Sequence, residues 1–359
     1  MKSTSLYHWK AAALSLVAVA LLPSAIQSAD RQPSTITVTV IDALGRYPLG
    51  NADVIDLASG QHRITDEQGQ VRLPWPNSGQ LRLRVREVGY QPLERILQRA
   101  TASPDSTTFA MSKVAYVIAP VRATSHCATT DDSASLALSV AVLDQLKQGA
   151  EKYIEFRRLY PFEATVERRS ALIPESGTPK RIIVDREKFR SENLDPKYRP
   201  GNVVQYKWDG SFLAPILFLS TLGDSVFWQN HCFVARGIES YQDTRAIRLE
   251  FSPSPNVTGP DWWGSAVLDS ATSYLLRLEF HLANLDTRKG LVRLDGYQTF
   301  SSPSPFVMIP DSVVAIWWIR KQSPGDLKWG LRPDFVQSLH IDSLKYRKGR
   351  PPPYQAAKQ

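Results

Sequence analysis

Alternation of apolar and polar residues constrains this chain more than any other feature, and Leu81-Arg82-Leu83-Arg84-Val85-Arg86 shows it most clearly. Successive strand side chains point to opposite faces, so Leu81, Leu83 and Val85 go one way and the arginines the other. Such a run is a half-buried antiparallel strand with a wet, cationic outer face. Similar short runs at 36–41, 53–57, 62–65, 71–73 and 108–112 are separated by Gly, Pro, Asp and Ser turn signals. Six or seven short strands with regular turns predict a small sandwich.

The turns themselves have an order: Val40-x-Asp42-x-x-Gly45, Pro48-Leu49-x-Asn51-Ala52-x-Val54, Thr65-Asp66-Glu67-x-Gly69, then Val88-Gly89-Tyr90. That order resembles the carboxypeptidase regulatory-like domain, a transthyretin-like β-sandwich found on exported peptidases and at the front of outer-membrane receptors. The resemblance covers residues 35–113. It implies a fold and a location, because members are accessory modules without catalytic residues of their own. Some related sandwiches bind carbohydrate.

Residues 1–29 read as a secretory signal peptide. Lys2 and Lys10 form the positive start, 11–22 the apolar core, and 24–29 a small-residue exit with cleavage expected after Ala29. About twelve apolar residues are too few to cross roughly 30 Å of hydrocarbon. No later segment is apolar long enough to span a bilayer, so the expected location is periplasmic, extracellular or at the cell envelope. Removing the leader takes away two lysines and no acids, lowering the formal net charge of +8 to +6. A moderate positive charge suits an anionic membrane face or acidic polymers, and equally a plain solubilising surface. The two cysteines, Cys127 and Cys232, would in an exported protein most simply pair. Unstrained, such a bridge closes a loop of roughly 100 residues, worth up to about 4.7 kcal/mol in the chain-entropy model.

Residues 114–135 read as a linker and 136–148 as an amphipathic helix stopped by Gly149. From 153 to 346 the pattern predicts mostly long strands, at 153–172, 180–191, 203–207, 229–238, 244–251, 263–268, 274–283, 291–300, 308–321 and 335–346, with a helix at 215–222. Arg277-Leu278-Glu279-Phe280-His281-Leu282 alternates as a one-face-wet antiparallel meander should. Trp263-Gly264-Ser265-Ala266-Val267-Leu268-Asp269-Ser270-Ala271-Thr272 with Leu275 to Glu279, then Ile309-Pro310-Asp311 before a strand, resembles the periplasmic lipoprotein-carrier-like fold. That fold is a curved antiparallel sheet with helices on its concave side. The tail 347–359 is basic and proline-rich, expected to be irregular or polyproline-like.

Catalytic signatures are missing from the sequence. No His-x-x-Glu or His-Glu-x-x-His pair, Gly-x-Ser-x-Gly elbow, phosphate loop or dinucleotide fingerprint occurs. No catalytic residue, metal, cofactor or nucleic-acid partner is therefore assigned. His126-Cys127 and His231-Cys232 invite a zinc reading, but adjacent strand residues point apart and cannot easily aim at one ion. The aromatic pairs Trp262-Trp263 and Trp317-Trp318 should each send one ring inward and one outward. Outward rings can stack on sugars or line an apolar groove; the alternative is that they pack under loops or at sheet edges. Trp75, between Pro74 and Pro76, and Tyr90 complete the candidate ligand-binding set.

The resulting expectation is a mainly β, exported, two-domain protein. A transthyretin/Ig-like sandwich spans 35–113, and a larger antiparallel sheet with one or two packed helices spans 136–346. Its expected role is non-catalytic binding or assembly, with a polysaccharide or envelope protein as partner. Two alternatives stand beside it: a carrier of hydrophobic, lipid-like cargo in the larger sheet, and a hydrolase of unrecognised type.

Overall fold

The computed structural model describes residues 35–99, 106–116, 133–172, 182–193, 195–208, 212–304, 307–319 and 333–347. The leader, most of the linker with His126 and Cys127, and the tail from 348 lie outside the described residues. The described residues are mainly β, with several antiparallel sheets and two α-helices among them, as the alternation predicts.

Two small sheets come first. One has the order β4 (Gln70–Pro74), β1 (Thr35–Asp42), β7 (Ser106–Met111); the other has β3 (Gln61–Ile64), β2 (Asp53–Asp56), β5 (Gln80–Arg86), β6 (Leu93–Gln98). Leu81, Leu83 and Val85 are buried with Val38, Val40, Val54 and Phe109 in one core. The turn motifs build the corners of this sandwich. Asp42 accepts from the Leu44 and Gly45 amides and from the Tyr90 hydroxyl. Thr65 donates to the Leu49 carbonyl and accepts from the Ala52 amide. Strand β6 escapes the sequence pattern because it is an edge strand: Ile96 is exposed, and Glu94 is held by Arg84 across the ladder.

The chain then enters α1 (Ser133–Leu159), which runs through Gly149 and takes in residues expected to begin a strand. Gly149 weakens a helix by roughly 1 kcal/mol relative to Ala. The stripe Leu138, Val142, Leu146, Ala150, Tyr153, Phe156 continues past it into the larger core and outweighs that cost. Strands β8 (Phe162–Leu172) and β9 (Ile182–Arg190) follow, then the two-residue pair β10 (Gln205–Tyr206) and β11 (Phe212–Leu213). The helix expected at 215–222 is instead a 3-10 turn, Leu219–Gly223, followed by α2 (Ser225–Gln229), whose first turn is capped by Asp224. Phe218, just before the turn, is extended.

Seven consecutive strands complete the chain: β12 (His231–Tyr241), β13 (Thr244–Pro253), β14 (Asp261–Asp269), β15 (Leu275–Ala283), β16 (Leu291–Ser304), β17 (Val307–Ile319) and β18 (Pro333–Tyr346). With β8 and β9 they form one antiparallel nine-stranded sheet, β12-β13-β14-β15-β16-β17-β18-β8-β9. The apolar stripe of α1 lies on its inner face. Across that face Phe251 pairs with Gly264, Gly264 with Phe280 and Phe280 with Gly296. A Cβ on Gly296 would stand 2.3 Å from the Phe280 ring, and one on Gly264 would stand 1.9 Å from the Glu279 carbonyl. Glycine alternates with phenylalanine in this row because the rings and the neighbouring backbone fill the missing side-chain space.

The sandwich seats on the flank of α1 and on the turn between β14 and β15, where Tyr116 meets Ser273. Lys152 reaches both oxygens of buried Glu87 at 2.8 Å, Arg86 bridges Asp53 and Glu151, and the Gly89 amide donates to Gln145 at 2.7 Å. The Val88-Gly89-Tyr90 motif is thus a docking corner.

Candidate functional site

The outer face of the nine-stranded sheet holds the candidate site. Because β14, β15 and β16 pair in register, Trp263 stands opposite His281, and His281 opposite Asp295. Trp263 is 45% exposed, and its indole stacks on the His281 ring at 4.5 Å. His281 Nδ1 lies 2.6 Å from an Asp295 carboxylate oxygen. One step along, Ser265 faces Glu279 and Glu279 faces Tyr297. Arg248 donates to Ser265 (2.6 Å), Glu279 (3.0 Å) and Glu239 (3.0 Å). Arg277 binds Glu279 and covers the Tyr297 ring at 3.8 Å.

Two concavities meet on this row. A groove of about 650 Å³ runs over β12 to β15, lined by Cys232, Val234, Arg236, Arg248, Glu250, Trp263, Ser265, Glu279 and His281 among others. A smaller one of about 270 Å³ continues over β15 to β17 along Arg277, Glu279, His281, Asp295, Tyr297, Val314 and Ile316. Their charges are internally matched. Arg236 pairs with Glu250, Arg248 with Glu239 and Glu279, Arg277 with Glu279, and Arg293 with Asp295. Burial pushes the carboxyls of Glu279 and Asp295 up, but their partners hold both below the usual carboxylate range: Arg248 and Arg277 for Glu279, His281 and Arg293 for Asp295. Both are ionised hydrogen-bond acceptors at neutral pH.

The residues singled out in the sequence separate into two groups. Trp262 is buried in the core and Trp263 projects outward, the predicted division of the pair. Trp317 packs against the core, whereas Trp318 is half-buried beneath Arg293, whose guanidinium lies 4.7 Å from its ring. Trp75 and Tyr90 do not form a platform. Trp75 turns into the sandwich core, where burying the ring outweighs the extended backbone imposed by its flanking prolines. Tyr90 is buried too, its hydroxyl 3.0 Å from both Asp42 and Tyr47.

His281, Asp295, Glu279 and Arg248 were not singled out. The alternation 277–282 already places Arg277, Glu279 and His281 on one wet face, which is the signal that marks them.

Cys232 is disulfide-bonded, while Cys127 lies outside the described residues. Its neighbour His231 has both ring nitrogens engaged: Nδ1 is 2.9 Å from the Phe227 carbonyl and Nε2 is 2.8 Å from the Trp262 carbonyl. No lone pair of that ring is turned toward a metal position, and no cluster of metal-ligating side chains occurs among the described residues. On the inner face, a space beside α1 between Gln145, Leu146, Leu268 and Leu275 is about 20 Å³, room for about one water. Among the described residues, no helix is long and apolar enough to cross a membrane.

No family model matches the chain, and no curated protein matches it. The regulatory-like resemblance at 35–113 therefore rests on its turn motifs alone. Among solved structures, an outer membrane lipoprotein-sorting protein domain from Vibrio parahaemolyticus is similar at 14% identity and a TM-score of 0.29, covering 56% of this chain and 94% of that domain. A likeness of that size carries no argument about function.

Proposed function

We propose that this chain is an exported, non-catalytic binding protein of the cell envelope that holds carbohydrate on the outer face of its nine-stranded sheet. One observation carries the reading: a half-exposed indole, Trp263, lining the larger groove and stacked on His281, which lines both grooves. The free face of an indole suits the C–H face of a sugar ring. Around it, arginine donors and ionised carboxylate acceptors alternate, matching hydroxyl groups that both give and accept hydrogen bonds. Because these charges pair among themselves, the groove favours a neutral glycan over an anionic one.

In this reading the sandwich at 35–113 is a supporting module seated on α1, and the binding surface belongs to the larger sheet at 136–346. The leader at 1–29 and a Cys127–Cys232 bridge fit export. Carriage of hydrophobic cargo in the larger sheet, the second reading, calls for an apolar cavity of several hundred Å³.

Retention of the purified mature protein on a panel of insoluble polysaccharides tests the proposal. Retention that is lost on Trp263→Ala and kept on Trp75→Phe supports it. No retention of the intact protein on any neutral polysaccharide ends it.

A further inference from the structure

Strand β14 is poorly supported at the end that carries the platform. Its ladder with β13 ends at the Phe251–Gly264 pair, so Asp261, Trp262 and Trp263 run past the last β13 partner and pair only with β15. His231, at the start of β12, supplies the contact the ladder lacks, through Nε2 to the Trp262 carbonyl. Its Nδ1 meets the last turn of α2 at the Phe227 carbonyl.

Carbonyl oxygens only accept hydrogen bonds, and a neutral imidazole has one donor nitrogen and one acceptor nitrogen. A neutral ring here sets a lone pair against a carbonyl oxygen; only the doubly protonated ring satisfies both contacts. A counter-ion is in place. The Asp261 carboxylate lies 3.7 Å from Nε2, and both side chains are fully buried. That carboxylate is itself fixed by the Tyr198 hydroxyl (2.7 Å), the Gly201 amide (2.8 Å) and the Trp262 amide (2.7 Å).

Asp261 from β14 and Tyr198 from the segment before β10 are the titratable groups that face the ring; Asp224, at the α2 N-terminus, acts on Tyr198. From α2, β12 and β13 the ring meets Phe227, Phe233 and Phe251. Burial is the largest influence and draws the imidazole below its ordinary value, against the pull of Asp261 and the two carbonyls. The geometry of two acceptor oxygens facing its two nitrogens is what favours the charged ring.

We propose that His231 is held as an imidazolium and is the positioning residue that fixes the Trp262–Trp263 peptide, and with it the exposed indole of the groove. The indole's role as a ligand platform rests on the binding reading above; the charge state of His231 does not.

Nitrogen NMR of the intact protein reads the charge directly. At neutral pH both ring nitrogens of His231 give protonated shifts, and one proton is lost as the pH is raised further. The Trp263 indole N–H, assigned by its loss in Trp263→Phe, moves over the same pH range. The indole is followed in a His281→Gln background so that the stacked ring contributes nothing. An unprotonated ring nitrogen at neutral pH overturns the proposal, and so does an indole signal that ignores the His231 titration. In His231→Gln, which keeps one donor and one acceptor, the indole shift becomes flat across that range. Its glycan affinity falls about tenfold, the loss of one charge-assisted contact. If that variant does not fold, the two NMR readings on the histidine-bearing protein still decide. If the intact protein binds no glycan, the binding reading fails while the charge and indole measurements remain decisive here.

Discussion

The two faces of the nine-stranded sheet are built from neighbouring residues and do different work. Gly264, Phe280 and Gly296 form a row on the inner face; Trp263, His281 and Asp295, each one position away, form a row on the outer face. The inner row is a packing device in which rings occupy the space glycine leaves. The outer row is polar, half-exposed and concave. Stability and the proposed glycan binding should therefore respond separately to substitutions one residue apart.

Phe280→Ala should have the largest effect. The ring is fully buried, and its removal costs about 3–5 kcal/mol, read as a lower urea midpoint with an unchanged slope. Gly296→Ala should come next. Its Cβ would meet the Phe280 ring at 2.3 Å and the Val314 carbonyl at 2.7 Å, an overpacking cost of about 1–3 kcal/mol. Both variants, once folded at lower temperature, should still be retained on polysaccharide. Loss of retention without loss of stability in either would break the separation of the two faces.

The contact between α1 and the sandwich predicts a pH dependence belonging to neither face. Burial pushes Glu87 up to about 7 against the pull of Lys152. A carboxyl with a raised folded pKa binds more protons folded than unfolded, so stability falls as pH rises from its unfolded value toward about 7. Glu87→Gln should flatten that slope in denaturation curves taken across the interval. Trp263→Ala should have the smallest effect on stability, within about 0.5 kcal/mol, as for most surface substitutions, while removing retention. A large stability loss from it would mean that the indole is structural.

How much of this was legible beforehand varies with the cause. The alternation of Leu81 to Arg86 marks a strand and its two faces because both follow from backbone geometry alone. The division of Trp262 from Trp263 follows from the same rule. The row Trp263, His281, Asp295 does not, since it depends on the register of three strands, and register is set by pairing. Trp75 misleads for another reason: its flanking prolines describe the backbone but not the direction of the ring. Gly149 reads as a stop by local propensity, yet tertiary burial of Tyr153 and Phe156 carries α1 beyond it. The turn motifs of the sandwich are legible as corners. Nothing in them announces that the Val88-Gly89-Tyr90 corner would seat on a helix.

That seat is made of ions and amides: Glu87 with Lys152, Arg86 with Asp53 and Glu151, and Gly89 with Gln145. Buried Val88 meets Leu146, Leu268 and Leu275 beside these polar pairs, and residues 35–359 form one compact unit. Prying that corner open would strand an apolar side chain as well as charged groups in water, so the two halves should melt together rather than one after the other.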